Sequence, residues 1–108
     1  MECIMSYIYL IKNEVDDTVL YKIGFSKNPK QRLKELKTGN PNALEIVAEF
    51  ETKHKRKVET AFHNHYKTQN VSGEWFSLSS EEVDKFLENC QQMERNFDVL
   101  VRMNNPFV

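Results

Sequence analysis

Two runs rich in β-branched and aromatic residues open the chain, Tyr7-Ile8-Tyr9-Leu10-Ile11 and Val19-Leu20-Tyr21-Lys22-Ile23-Gly24, with polar Asn13, Glu14, Asp16 and Asp17 between them. Such residues suit a pleated, half-buried surface, so the pattern predicts an antiparallel hairpin. Asn28 and Pro29 then suit the cap and first position of a helix reaching about Thr38, with Leu33 and Leu36 on its buried side and Gly39-Asn40-Pro41 as its stop. From Ala43 to Phe50, the residues Leu44, Ile46, Ala48 and Phe50 alternate with Glu45, Val47 and Glu49, which predicts a third strand with one face more polar than the other.

A basic run, Lys53-His54-Lys55-Arg56-Lys57, starts a second helix predicted to reach about Thr68. Val58, Ala61, Phe62, His65 and Tyr66 recur at the spacing of one buried stripe, which makes His65 a core histidine, while Glu59 and His63 share the adjoining face. A loop from Thr68 to Gly73 leads into Glu74-Trp75-Phe76. Ser79 and Glu82 then form a capping-box signature for a last helix whose stripe is Val83, Phe86, Leu87, Cys90 and Met93. The segment Phe97 to Met103 is apolar enough for either a short strand or a frayed helix. The element order β-β-α-β-α-α predicts an α+β fold, a small three-stranded, mainly antiparallel sheet flanked by helices. One domain over residues 1–108 is expected, with its core at about 6–78 and a C-terminal helix and tail at about 79–108.

With 108 residues a chain buries roughly two thirds of the surface its unfolded form exposes, enough to fold without staples. The only cysteines are Cys3 and Cys90, and no leader-like or long apolar run is seen. The expectation is an intracellular protein of cytoplasm or nucleus, neither secreted nor membrane-bound, with free thiols. Net charge is −1, yet residues 22 to 67 hold eleven basic against five acidic side chains, which leaves −7 on the rest. Charge segregated in this way suits a phosphate-binding face on an acidic body; lysines scattered over solvated helix faces would give the same count.

The residues able to carry chemistry lie in a recognisable order: Tyr7-Ile8-Tyr9, Tyr21-Lys22-Ile23-Gly24, Arg32-Leu33, Thr38-Gly39-Asn40-Pro41, Glu59-x-x-x-His63-x-x-Tyr66 and Gly73-Glu74-Trp75-Phe76. Together they resemble the GIY-YIG nuclease superfamily over about residues 6 to 78, most closely its short subgroup found in phages and large DNA viruses. The resemblance implies hydrolysis of a DNA phosphodiester with one divalent ion, Mg²⁺ or Mn²⁺. It assigns Tyr9 to activation of the attacking water, Arg32 to the scissile phosphate and Glu59 to the metal. Those residue types suit the chemistry, because a guanidinium and a hard cation held by a carboxylate meet the negative charge that grows on phosphate oxygens.

Lys22 stands where many relatives carry tyrosine, with Tyr21 one position earlier. Alternate strand residues face opposite sides, so only one of Tyr21 and Lys22 can join Tyr9. Leu36 fills a place that is polar in other branches. His63 is a candidate proton-handling group. Lys27, Lys30 and Lys34, in and just before the first helix, and Lys53, Lys55, Arg56 and Lys57 are expected to grip the nucleic-acid backbone, DNA first and RNA by the same phosphate contacts. Trp75 would stack on an unpaired base or anchor its loop. His63-Asn64-His65 spells an HNH-like string, but consecutive helical residues point about 100° apart and cannot converge on one ion. A non-catalytic nucleic-acid-binding module on the same fold is the alternative function, and a protein-interaction domain a more distant one.

Overall fold

Strand β1 (Ser6–Val15) and strand β2 (Thr18–Ser26) pair antiparallel through a tight turn at Asp16-Asp17. Asp16 holds φ 56, a left-handed conformation that aspartate tolerates better than most side chains. The computed structural model describes residues 5–38 and 43–103; the predicted Gly39-Asn40-Pro41 helix stop and Cys3 lie outside them. Both strands run further than the apolar runs alone suggest, because Lys12 to Val15 continue the ladder onto Thr18 to Tyr21.

Helix α1 (Pro29–Lys37) begins as its signature predicts: the Asn28 side chain accepts from the Gln31 N–H at 3.2 Å, with Pro29 at the first position. Strand β3 (Ala43–Thr52) pairs with β1, but a bulge at Val47 separates Leu10 opposite Ala48 from Ile11 opposite Ile46. One extra residue reverses the parity of a strand. Leu44 and Ile46 therefore join one face of the sheet while Ala48 and Phe50 join the other, instead of sharing a single apolar face.

Helix α2 spans Lys55–His65 and ends in a 3₁₀ turn, Lys67–Gln69. Its buried stripe is Val58, Phe62 and Tyr66. His65 is exposed, not a core histidine, because a stripe stepping by four leaves it on the flank. The predicted loop and the tripeptide after it are two further strands, β4 (Asn70–Ser72) and β5 (Trp75–Phe76), so the antiparallel sheet has five strands in the order β3-β1-β2-β5-β4, not three. Segments of three and two residues are too short to show alternation; their extended form comes from pairing Tyr21 with Phe76 and Lys22 with Trp75 along the edge of β2. Gly73, at φ 56, makes the turn between them.

The capping box is present, with the Ser79 hydroxyl accepting from the Glu82 N–H and the Glu82 carboxylate from the Ser79 N–H. The helix it opens, α3 (Ser80–Asp84), breaks at Lys85, and α4 (Phe86–Met103) follows, so residues 97–103 are helical. Leu87 is 43% exposed and drops out of the expected stripe. No helix among the described residues is long and apolar enough to cross a membrane.

The sheet lies between two layers. On one face Ile8, Leu10, Ile23 and Phe76 meet α2 and α4 through Val58, Phe62, Tyr66, Phe86 and Cys90; on the other Tyr9, Ile11 and Leu44 meet Leu33 and Leu36 of α1. Burial pushes the Cys90 thiol up to about 12, so it stays protonated and unreactive. Phe62 and Phe86 stack with centroids 4.7 Å apart and no exposed surface. Phe62→Ala is expected to cost ~3–5 kcal/mol in a denaturant titration. A loss below ~1 kcal/mol would show that this stack does not organise the core.

Candidate functional site

The hairpin register places Tyr9 opposite Gly24 and Ile11 opposite Lys22. Directly paired residues share a face. Lys22 thus joins Tyr9, and Tyr21 lies on the opposite face against the larger core. That removes Tyr21 from the predicted site.

Tyr9 is 2% exposed, and its ring crosses over Gly24. A Cβ at Gly24 would fall 2.6 Å from the phenol oxygen and 2.9 Å from the carbon bearing it, so the strand needs a glycine there. Gly24→Ala is expected to cost ~1–3 kcal/mol by overpacking and to make Tyr9 reactive to tetranitromethane, mapped by mass spectrometry. A variant of wild-type stability with Tyr9 still protected would refute the contact.

Helix α1 brings Arg32 to the same phenol. The Tyr9 hydroxyl, ahead of Glu35, favours the charged guanidinium, whose Nη1 also donates to Glu35 Oε1 at 3.3 Å. Burial pushes the phenol above its ordinary pKa; Arg32 pulls it down, and the Glu74 and Glu59 carboxylates add to the rise.

From the other side α2 meets β2 at Ile23. The carbonyl of Ile23 accepts from His63 Nε2 at 3.0 Å, and its N–H donates to the Glu74 carbonyl at 3.2 Å. The pairing of β5 covers only Tyr21 and Lys22 of β2, and Glu59, one turn before His63 on α2, lies near enough for its charge to act on the Tyr9 phenol. Glu59 is half-buried and forms no ion pair among the described residues. Burial first, and the charge of Glu74 second, push its carboxyl above the ordinary range. A cation at that position would relieve both effects, and a hard carboxylate oxygen suits Mg²⁺ or Mn²⁺.

Glu74, which the sequence offers only as part of the Gly73-Glu74-Trp75-Phe76 motif and without a role of its own, lies beside Lys22 and Gly24. Its Oε1 accepts from Lys22 Nζ at 2.8 Å and lies 3.2 Å from the Gly24 Cβ position. The available signal was Lys22 itself: a lysine within an otherwise apolar strand requires a counter-ion nearby.

The T5orf172 domain family matches residues 6–91, from β1 into α4. The chain belongs to that family. T5orf172 domains occur in phage and viral proteins, often in endonuclease contexts, which suggests a role in nuclease action or DNA binding. Neither the curated proteins nor the solved structures contain a match.

Within this T5orf172 domain the basic side chains form two groups. Lys27 and Lys30, with Tyr7, Asn28, Pro29 and Glu49, line a shallow groove at the start of α1, and Lys34 is exposed one turn on. Lys55 and Arg56 lie over the Phe25 ring at 5.5 and 5.6 Å, and Lys57 over Phe97 at 6.0 Å, while Lys53 is exposed just before α2. Trp75 packs against the cluster around Tyr9 with Lys22 Nζ 5.6 Å from its centroid, so it anchors its strand. His63 holds α2 to β2 through Nε2 and sets its ring edge against Phe76.

A second donor cluster joins α4 to the start of α2. Ligand atoms of His54, Glu94 and Asp98 lie within 4.8 Å of one another. Each is already engaged: Glu94 accepts from the Thr52 hydroxyl and the Lys53 N–H, and Asp98 Oδ1 meets His54 Nε2 at 2.8 Å. The His54 contact holds the Asp98 carboxyl below its ordinary range. These bonds tie the helix layer to the end of β3.

Proposed function

We propose that this T5orf172 domain is a GIY-YIG-type endonuclease that hydrolyses DNA phosphodiester bonds with one divalent ion. The observation that carries the proposal is that Tyr9, lying over Gly24, shares one face of the hairpin with Lys22, while Arg32 from α1 and Glu59 from α2 act electrostatically on its phenol. Arg32 offers its guanidinium fork to the non-bridging oxygens of the scissile phosphate. The Tyr9 hydroxyl, beside it, takes the proton of the attacking water, which requires the phenol to lose its own proton first. Arg32 favours that loss, against the burial that opposes it. Glu59 would hold Mg²⁺ or Mn²⁺, which when bound supplies a Lewis acid at the phosphate oxygens. Lys27, Lys30 and Lys34 on one side, and Lys53, Lys55, Arg56 and Lys57 on the other, bind flanking phosphates. His63 serves as a positioning residue, fixing the turn of α2 that carries Glu59.

Supercoiled DNA is expected to be nicked in Mg²⁺ or Mn²⁺ and left intact in chelator. Intact plasmid, linear and branched DNA under every metal condition would overturn the endonuclease reading. One observation favours the alternative of a non-catalytic nucleic-acid-binding module: Lys22 is already paired with a carboxylate. That alternative expects salt-dependent DNA binding, with a log–log slope of about −0.9 per phosphate neutralised, and no cleaved product.

A further inference from the structure

We propose that the groove at the start of α1 holds the base of the nucleotide next to the scissile phosphate, stacked on Tyr7, so that the substrate strand is unpaired at the cut. The inference rests on the endonuclease reading above and names the kind of strand that the reading leaves open. Among the aromatics of the opening hairpin, Tyr9, Tyr21 and Phe25 each belong to or pack against one of the two core clusters, whereas half-buried Tyr7 belongs to neither. Core packing therefore does not account for its ring. Trp75, which the sequence offers for base stacking, is packed against the cluster around Tyr9.

Register puts Tyr7 beside the candidate site. It precedes Tyr9 by two positions on β1, which gives it the same face, roughly 7 Å away along the strand. Glu49, directly opposite Tyr9 on β3, is exposed on that face. Pro29 opens α1 three positions before Arg32, hence on the same side of the helix. Between these elements runs a groove of about 220 Å³ lined by Tyr7, Lys27, Asn28, Pro29, Lys30 and Glu49. Pockets for whole small molecules run to roughly 300–1,000 Å³, so this one suits a single flat base whose sugar and phosphate stay outside. Charge sets the orientation: exposed Lys27 and Lys30 attract the backbone phosphates and the Glu49 carboxylate repels them, which leaves the base to Tyr7. Every base has a π-face to stack, but a base inside a duplex must first leave its partner to reach an aromatic ring.

The test is fluorescence anisotropy in chelator at fixed salt, with a labelled single-stranded oligothymidylate and a duplex of equal length. Tyr7→Leu should weaken single-strand binding by roughly 5–150-fold, the loss that follows removal of one base–aromatic stack, and leave duplex binding unchanged. Tyr7→Phe should bind the single strand as the parent does, because the ring and not the hydroxyl stacks. Parental single-strand affinity in Tyr7→Leu, an equal loss on both DNAs, or a matching loss in Tyr7→Phe would overturn the inference. In the unsubstituted protein, single-stranded DNA should shield Tyr7 from tetranitromethane and duplex DNA should not. Nitration indifferent to single-stranded DNA overturns the inference even if Tyr7→Leu fails to fold. In Mg²⁺ the parent should cut flap or bubble DNA faster than intact linear duplex, and a duplex cut equally fast would overturn the requirement for an unpaired strand. Metal-dependent cleavage in which Tyr7→Leu matches the parent on every DNA would remove the subsite and keep the nuclease reading. Single-strand binding that needs the Tyr7 ring, in a protein that cleaves no DNA, would support the subsite and remove that reading.

Discussion

Glu59→Gln is expected to lower Mg²⁺-dependent nicking by ~10³-fold or more, since a metal at a phosphate is worth several kcal/mol and each 1.4 kcal/mol is tenfold. The substitution keeps the side chain's size and removes its charge, replacing one acceptor oxygen with an NH₂ donor. Its effect on stability should have the opposite sign. Burial and Glu74 raise the folded-state pKa of Glu59, so the ionised carboxylate burdens the fold above that pKa, and the burden is relieved as pH falls through it. Neutral glutamine carries no such burden at pH 7. The variant should melt at the same temperature as the parent or slightly higher while losing cleavage, the trade expected of a functional group placed against local stability. A variant that melts lower and cleaves normally would mark Glu59 as a structural residue.

Tyr9→Phe is the second large effect, a loss of ~10²–10⁴-fold, the range for a missing general base. Only the hydroxyl is removed; the ring that packs over Gly24 remains. The hydroxyl's coupling to Arg32 amounts to no more than one hydrogen bond, ~0.5–1.5 kcal/mol, too little to unfold the domain. The pH profile separates a base from a packing aromatic. Because the phenol pKa lies above its ordinary value, the ionised fraction rises about tenfold per pH unit through neutrality, and the logarithm of the rate should climb with it. The residual rate of Tyr9→Phe should lose that slope. A parallel profile in both proteins would remove Tyr9 as the base.

Local chemistry made several elements legible in advance. Asn28 with Pro29, and Ser79 with Glu82, are caps whose partners lie three residues away, and both form as expected. The first hairpin follows from two runs of strand-forming residues, and Tyr9, Arg32 and Glu59 stand out as candidates because a familiar order of motifs surrounds them. Features decided by distant partners were not. The Val47 bulge is a property of the β1–β3 ladder, and it reversed the faces of Ala48 and Phe50. Strands β4 and β5 exist because β2 offers them an edge. The long last helix reaches Met103 because Phe86, Cys90, Met93 and Phe97 find one continuous core to cover.

The site divides along the same line. Spacing along the chain names the residues with suitable chemistry, since residue type is a one-dimensional property. It cannot choose between Tyr21 and Lys22, which differ by one position and hence by a whole face of the sheet. The ladder makes that choice by pairing Ile11 with Lys22 and Tyr9 with Gly24. Glu74 enters for the same reason: fifty-two positions separate it from Lys22 in the chain, and only the β2–β5 pairing brings its carboxylate to 2.8 Å from the ammonium.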